Sequence, residues 1–300
     1  MHYAIFGATG NTGLAIARKL VQAGKLVSAF GRNVDKLTEF PKAGARALAG
    51  DLANLPNDSW LRDAMQGVNV VYALIPPNYK AENFREYQNK VAKNLTDAIQ
   101  ENKIKHVVTL SSVGAHLTEK AGVVQGLYDF EQMLNKVSGL NVLHLRPSYF
   151  MENLYGQIAT IKQMNMMGSP MKADLSFPLV LTKDIADVAV RRLLELNFKG
   201  QMVQYVLGPR NVTFNEIAKI IGKAIGKTDL KYTQFPPEDA KKAMMEGMGL
   251  SESVANAMNE FVDACNQGKI FGDIKRSPEN TTPTTLEDFA KDFAKAYQGA

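Results

Sequence analysis

The chain has 300 residues, of which 45% are hydrophobic, with a net charge of +5 and a single cysteine, Cys265, which suits one large α/β domain or such a domain with a smaller lobe. A lone cysteine excludes an internal disulfide, no apolar run approaches the ~18 residues that span a bilayer, and the first strand is predicted directly after Met1, so we expect a cytoplasmic protein with no leader sequence and no membrane partner. The lysines and arginines form no run longer than a pair, which argues against a nucleic-acid partner.

Short apolar segments in the first half of the chain predict strands, and helical patterns separate them. The predicted strands are 2–6, 25–30, 46–49, 69–74, 106–110 and 141–145. The predicted helices are 14–21, 59–65, 82–100 and 127–136. Continuous apolar strands that alternate with helices are typical of a parallel sheet covered on both faces. We therefore predict an α/β fold with a doubly wound Rossmann domain.

The second half of the chain is less regular and predicts a smaller, mostly helical lobe. Its predicted strands and helices are 179–181, 183–196, 203–207, 213–225 and most of 236–300. Thr213 with Glu216 has the pattern of a capping box, and Thr285 can cap the last helix. The methionine-rich segment 163–171 is open to two interpretations, an adaptable lid over a substrate or ordinary core filling.

These patterns divide the chain into two units. Residues 1–153 are predicted to form the dinucleotide-binding domain, and residues 154–300 are predicted to form a lobe for a substrate or a partner. The segment 177–198 is expected to return to the first unit. In a doubly wound sheet the ligand lies beyond the carboxyl ends of the strands, so the residues that follow each strand are the candidates for a site.

A glycine turn with the spacing Gly7-x-x-Gly10-x-x-Gly13 follows the first strand and precedes a helix. In such a turn Gly7 lets the chain reverse, Gly10 lets the backbone approach a pyrophosphate, and Gly13 lets the helix pack on the strand. The free N–H groups around Asn11 and Thr12 would then face the anion. An ordinary glycine-rich turn is the alternative. The turn residues that we assign to a cofactor are Gly7, Thr9, Gly10, Asn11, Thr12 and Gly13.

Further motifs are spread over nearly the whole chain. They are Gly31-Arg32-Asn33, Gly50-Asp51, Leu110-Ser111-Ser112, Arg146-Pro147-x-x-Phe150-Met151-Glu152-Asn153, Lys183-Asp184-Ile185-Ala186 and Thr282-Pro283-Thr284-Thr285-Leu286-Glu287-Asp288-Phe289. With the glycine turn, they resemble the NmrA-like branch of the atypical short-chain dehydrogenase/reductases. The resemblance implies a Rossmann fold and an NADP-type cofactor. It leaves the reaction open, because the family includes reductases and also members that bind NADP as redox sensors or regulators without turnover.

Arg32 predicts NADP(H) rather than NAD(H) as the cofactor. It ends the second strand, 19 residues after Gly13, where a guanidinium can bind a 2′-phosphate through two charge-assisted hydrogen bonds and an acid would repel it. Lys36 can add a point charge. A surface arginine after a strand is the alternative. By the family resemblance, Asp51 accepts a hydrogen bond from the adenine amine. Leu74 either lines the nicotinamide side or packs as an ordinary loop residue.

The Tyr-x-x-x-Lys motif that short-chain dehydrogenases typically use for proton transfer is absent. No tyrosine has a lysine four residues later, and no lysine lies between Lys120 and Lys136, where some NmrA-like reductases have one. The remaining candidates for the catalytic site are Ser112 and Tyr149, with Ser111 near the nicotinamide ribose. Serines that close a strand and a packed aromatic ring are the alternatives.

A quinone can accept a hydride without an acid catalyst, because its electron-poor ring takes charge well, so a pocket that only orients the nicotinamide can suffice. The predicted function is an NADP(H)-dependent oxidoreductase acting on a small-molecule substrate, either quinone-like or another small carbonyl compound. The alternative is a non-catalytic NADP(H)-binding redox sensor that acts through a regulatory protein partner. Dispersed histidines and a lone cysteine predict no metal site.

Overall fold

The structure, a computed structural model, describes residues 1–300. Its strands are β1 (His2–Ile5), β2 (Leu26–Gly31), β3 (Arg46–Ala49), β4 (Val70–Ala73), β5 (His106–Leu110), β6 (Asn141–Pro147), β7 (Tyr149–Phe150), β8 (Met166–Ser169), β9 (Phe177–Val180), β10 (Gln201–Val206), β11 (Asn211–Val212) and β12 (Lys231–Gln234). Its helices are α1 (Asn11–Gln22), α2 (Glu39–Lys42), α3 (Trp60–Ala64), α4 (Phe84–Glu101), α5 (Gln125–Asn135), α6 (Ile158–Met164), α7 (Thr182–Glu195), α8 (Phe214–Ala224), α9 (Pro237–Met248), α10 (Glu252–Asn266) and α11 (Leu286–Gly299). None of these helices combines the length and the apolar character needed to cross a bilayer.

Seven strands form a parallel sheet in the order β10-β6-β5-β4-β1-β2-β3. The apolar residues of α1 and α7 pack on one face of this sheet, and those of α3, α4 and α5 pack on the other. The strand order reverses between β1 and β4, which is where doubly wound sheets bind their ligands. The predicted α/β class, a doubly wound parallel sheet of Rossmann type, is confirmed.

The seventh strand comes from the part of the chain that the sequence assigned to the lobe. β10 pairs with β6 along its whole length, from Gln201 opposite Val142 to Val206 opposite Pro147. The assignment of 201–206 to the lobe was therefore wrong, because nothing in a short strand of mixed polarity indicates which sheet it joins. The rest of the division, with its boundary near residue 153, stays a prediction.

The remaining strands form two small sheets in the C-terminal half, β11-β9-β7 and β12-β8. They pack with α8, α10 and α11 around a separate apolar core. The capping box of Thr213 and Glu216 begins α8 as predicted, and the Thr285 side chain caps α11 by accepting a hydrogen bond from the Asp288 N–H.

The methionine-rich segment contains β8, which pairs in parallel with β12. Met167 and Met171 are buried in the lobe core, whereas Met164 is exposed. Core filling therefore describes Met167 and Met171, and the alternative of a methionine lid does not apply to them. The sequence Met166-Met167-Gly168-Ser169 has little local strand preference, and it pairs as a strand here because tertiary contacts outweigh that preference.

Two buried or half-buried carboxylates join the lobe segments to the sheet. Glu152, which follows β7, accepts a hydrogen bond of 2.9 Å from the Thr182 N–H at the start of α7. Asp184, in the first turn of α7, accepts hydrogen bonds from the Thr284 N–H (3.1 Å) and the Thr284 hydroxyl (2.9 Å). Both carboxylates belong to the motifs of the family resemblance, so these motifs have a structural role in addition to any binding role.

His144 is a buried histidine in the centre of β6. Its side chain is hydrogen-bonded to the Thr109 hydroxyl (2.9 Å) and to the Asn135 side-chain oxygen (3.0 Å). Burial lowers the pKa of the imidazole to about 4, and the nearby charges of Glu131 and Arg146 act in opposite directions on it. His144 is therefore neutral in the folded protein at neutral pH.

This burial predicts a loss of stability in acid. As pH falls below about 6.5, the unfolded chain protonates His144 while the folded protein does not, so the free energy of unfolding falls progressively, by up to about 3 kcal/mol near pH 4. The variant His144→Gln lacks this proton uptake, and its free energy of unfolding should fall less steeply. Denaturant titrations of both proteins between neutral pH and about pH 4 measure the difference, and identical slopes would contradict the assignment.

Candidate functional site

The turn between β1 and α1 presents unpaired backbone donors at the point where the strand order reverses. No side chain caps α1, which begins at Asn11. The N–H groups of Thr9, Asn11, Thr12 and Gly13 have no hydrogen-bond acceptor within the protein. Free N–H groups at the start of a helix, together with the helix dipole, bind anions such as phosphates.

The three glycines of the turn differ in their backbone conformation and in what a side chain would contact there. Gly7 has a positive φ of 69°, which L-residues rarely adopt. A Cβ on Gly13 would lie 2.3 Å from the Gly7 carbonyl oxygen, so only glycine lets α1 begin this close to the turn. Gly10 is exposed, and a Cβ there would contact only the Gly7 oxygen, at 3.4 Å. Its open surface is what close approach of a ligand to the backbone requires.

Two threonine side chains of the turn point into the protein. The Thr12 hydroxyl is buried and accepts a hydrogen bond of 3.2 Å from the Tyr72 hydroxyl. The Thr9 methyl group packs over Gly31, where a Cβ would lie 2.6 Å from it. Both residues can therefore offer a ligand their backbone N–H groups, while their side chains hold the turn in place.

Arg32 lies beyond the end of β2 and is exposed. Its Nη1 donates a hydrogen bond of 3.3 Å to the carbonyl oxygen of Pro77, which follows β4, so the side chain crosses the end of β1. Neither Arg32 nor Lys36 has a carboxylate partner among the ion pairs of the structure. Arg32 and Lys36 thus follow β2, the strand next to β1, without acidic partners, and they can attract an anion.

Asp51 has the contacts of a turn residue. Its carboxylate accepts hydrogen bonds from the Ala53 N–H and the Asn54 side-chain amide, both at 2.9 Å. The carboxylate is therefore held in a fixed orientation at the end of β3 by its own turn. A carboxylate has about four lone-pair sites, so two accepted hydrogen bonds leave room for a further donor.

Leu74, Ser111 and Ser112 occupy the ends of β4 and β5. The Leu74 side chain packs directly against Gly7, where a Cβ would lie 2.8 Å from its Cδ2. The Ser111 hydroxyl is buried and donates a hydrogen bond to Glu131. The Ser112 side chain is half-buried and its hydroxyl has no partner within the protein. Successive residues of an extended segment face opposite sides of a sheet, which explains why only one of the two serines reaches α5.

Tyr149 packs in the aromatic cluster of the lobe. Its ring centroid lies 5.6 Å from that of Phe177 and 6.4 Å from that of Phe214. Burial raises the pKa of its phenol far above the usual value, and its hydroxyl makes no hydrogen bond within the protein. These are the contacts of the packed aromatic that the sequence allowed as an alternative.

The sequence analysis missed a buried ion pair at the ends of β5 and β6. Glu131 on α5 is 2% exposed and Arg146 on β6 is 8% exposed. The Arg146 Nε donates to a Glu131 carboxylate oxygen at 3.0 Å, and its Nη2 donates to the Ala115 carbonyl oxygen at 3.1 Å. Burial opposes the charge of the guanidinium, but the hydrogen bonds to Glu131 raise the pKa of Arg146.

A signal for this pair was present in the sequence. Glu131 lies between Phe130 and Leu134 on the apolar face of α5, and a charged residue on such a face usually has a buried partner. The helix that we searched for a lysine thus presents a glutamate to the end of β5. No group of three or more His, Cys, Asp or Glu side chains has an arrangement that could hold a metal ion.

The Gly13 contact predicts a strong effect of a small substitution. Gly13→Ala would force α1 away from the Gly7 carbonyl, and we expect the free energy of unfolding to fall by about 1–3 kcal/mol. Gly156→Ala is the matched control, because a Cβ on Gly156 meets no atom within 4 Å. It should change stability by less than about 0.5 kcal/mol. Denaturant titration measures both values, and equal stability of the two variants would contradict the close approach.

Comparisons with known proteins agree with this architecture. The family model described as NmrA-like family matches residues 2–290. The NAD(P)H azoreductase of Xenophilus azovorans is 28% identical over 300 residues, which cover 99% of each chain. An NADPH-dependent quinone oxidoreductase from Escherichia coli has the same fold, with a TM-score of 0.81 and 20% identity over 97% of this chain and 99% of that one. NmrA, described as a negative transcriptional regulator in complex with NAD, has a TM-score of 0.67 and 13% identity over 99% and 97% of the two chains. The match over nearly the whole sequence confirms the resemblance, and the chain belongs to the NmrA-like family.

Proposed function

We propose that this protein is an NADP(H)-dependent oxidoreductase that transfers a hydride to a quinone-like or another small carbonyl acceptor. The observation that carries the proposal is the set of unpaired N–H groups at the start of α1, with two cations that follow β2 and have no acidic partner. An azoreductase that uses NAD(P)H and a quinone oxidoreductase that uses NADPH are among its similar proteins, which supports the same class of chemistry.

The residues of this edge fit a dinucleotide. The N–H groups of Thr9, Asn11, Thr12 and Gly13 would bind the pyrophosphate, and the open surface of Gly10 would let it approach. When bound, the cofactor supplies a hydride. The chain's own part is to hold the pyrophosphate, to fix the two halves of the dinucleotide on either side of β1, and to exclude water from the reacting ring.

Arg32 would bind the 2′-phosphate on the β2 side of the glycine turn. To do so it gives up one exposed hydrogen bond to Pro77, which is worth about 1 kcal/mol or less. In return it forms two charge-assisted hydrogen bonds to the phosphate. Lys36, four residues further along the chain, has no acidic partner and would strengthen the attraction. This balance favours NADP(H) over NAD(H).

The nicotinamide would lie on the other side of the glycine turn, beyond the ends of β4 and β5. Leu74 is positioned against the turn, and the unpartnered Ser112 hydroxyl is available to a carbonyl oxygen of the acceptor. Tyr149 is a poor general acid because its phenol pKa is raised and no base contacts it. An acceptor that needs little acid assistance, such as a quinone, therefore suits this site best.

A second candidate function is a redox sensor that binds NADP(H) without turnover and acts through a partner protein. The absent Tyr-x-x-x-Lys motif favours it, and so does the likeness to NmrA, which is described as a transcriptional regulator.

Four further statements stay predictions of the sequence. They are the small-molecule acceptor, the protein partner, the cytoplasmic location and the absence of a nucleic-acid partner.

A turnover assay separates the two functions. The purified protein is mixed with NADPH and a panel of quinones and small carbonyl compounds, and the absorbance of the reduced nicotinamide is followed. We expect NADPH to be consumed with at least one quinone, because orientation alone suffices for such acceptors. Tight binding of NADPH with no consumption across the panel would contradict the oxidoreductase and support the sensor.

The choice of cofactor is tested by Arg32→Glu. The substitution removes both hydrogen bonds to the 2′-phosphate and adds repulsion, so we expect NADPH binding to weaken by about 100-fold or more. NADH binding should change by less than about threefold, because NADH lacks the phosphate. Arg191→Glu makes the same change of charge at an exposed position of α7 and serves as the control. Calorimetry gives the dissociation constants, and equal weakening of NADPH and NADH would refute the assignment.

A further inference from the structure

A chain of hydrogen bonds runs from the end of β5 through the buried pair Glu131 and Arg146. The Ser111 hydroxyl donates to Glu131 Oε1, and Arg146 donates to both carboxylate oxygens. On its other side, Arg146 donates to the Tyr205 hydroxyl at 3.4 Å, and that hydroxyl donates to Asp273. Of these groups, Ser111 directly follows β5 and lies next to the proposed nicotinamide site.

The stability of the fold does not by itself call for an ion pair at this place. Two charges taken out of water have a large desolvation cost, and replacing a buried ion pair by apolar residues of similar volume is often neutral or stabilising. The pair lies at the carboxyl edge of the sheet, next to the serines that follow β5. A role in shaping that edge is therefore worth testing.

The pair fixes the direction of the Ser111 hydrogen bond. A carboxylate can only accept and a guanidinium can only donate. The Ser111 hydroxyl therefore donates to Glu131, and Arg146 donates to both oxygens of that carboxylate. Ser111 is 6% exposed, and its Oγ still has lone pairs that can accept a hydrogen bond. The network cannot pass a proton from Asp273 to Ser111, because Arg146 lies between them and a guanidinium does not give up a proton.

The position of Ser111 indicates which half of a dinucleotide would meet it. A pyrophosphate at the start of α1 lies over β1, and Arg32 would bind the adenosine half on the β2 side. The other half must then extend over β4 and β5, and β5 lies about 10 Å from β1, two strand spacings away. Hydrogen-bond donors in that half are the hydroxyls of the nicotinamide ribose and the carboxamide nitrogen.

We propose that Glu131 is a positioning residue for the nicotinamide half of the cofactor: it accepts the hydrogen bond of the Ser111 hydroxyl and so orients Ser111 Oγ to accept a hydrogen bond from that half. This inference rests on the proposed function. It assigns a defined task to a glutamate of α5, the helix that lacks a lysine near its start.

Two double variants isolate this task. Glu131→Leu with Arg146→Met removes the ion pair and leaves Ser111 without an acceptor. Glu131→Gln with Arg146→Met also removes both charges, but its amide oxygen can still accept a hydrogen bond from the Ser111 hydroxyl. Both variants are compared with the natural protein by calorimetry, with NADPH and with 2′,5′-ADP, which has the adenosine half of the cofactor only. Thermal unfolding checks that each variant is folded.

We expect the leucine variant to bind NADPH about five- to tenfold more weakly, the effect of one hydrogen bond, and to bind 2′,5′-ADP unchanged. The glutamine variant should recover most of the NADPH affinity. Equal weakening of both ligands would mean that the pair only supports the fold, and natural NADPH affinity in the leucine variant would mean that Glu131 positions nothing. Either result overturns the inference and leaves the proposed function standing. A natural protein that binds neither ligand would refute the proposed function itself.

Discussion

The close approach of α1 to the turn before it is the constraint on which the rest of the site depends. Only a hydrogen atom fits between Gly13 and the carbonyl oxygen of Gly7, so the helix begins directly above the end of β1. Its unpaired N–H groups then lie at the carboxyl edge of the sheet, between the loops that follow β2 and β4. Leu74 packs on the same glycine turn from the β4 side. Any displacement of α1 would move the donors and this packing surface together.

A second constraint joins segments of the C-terminal half to α7, which packs on the sheet. Glu152 binds the start of α7, and Asp184 within α7 binds the segment before α11. These carboxylates connect parts of the chain that are 30 and 100 residues apart in sequence. Each satisfies backbone N–H groups that would otherwise lack partners in a partly buried setting. The family motifs in this half of the chain are therefore understandable as structural contacts, without any need for them to touch a ligand.

Much of the first half of the fold, and the starts of two helices in the second half, could be predicted because their signals are local. Apolar strands, the glycine turn and the capping residues of α8 and α11 all act within a few residues, and the structure confirms them. The position of β10, the pairing of β8 with β12 and the ion pair of Glu131 with Arg146 depend on partners far away in sequence. Arg146 belonged to a recognised motif, yet no local pattern could connect it to Glu131. In the site, the residue types predicted a nucleotide cradle, whereas the hydrogen bonds already made by Asp51 and Ser111 became visible only in three dimensions.

β10 is the last strand of the seven-stranded sheet in chain order, which affects how the chain folds and whether it can be divided. Six strands of the sheet are complete by residue 147, but the outer edge of β6 is covered only when residues 201–206 pair with it. Until then β6 presents a row of unpaired N–H and C=O groups, a surface on which exposed strands of other chains can align and aggregate. A fragment that stops before β10 keeps this open edge permanently. The two halves of the protein are for that reason not separable pieces, and synthesis of the second half is part of the folding of the first.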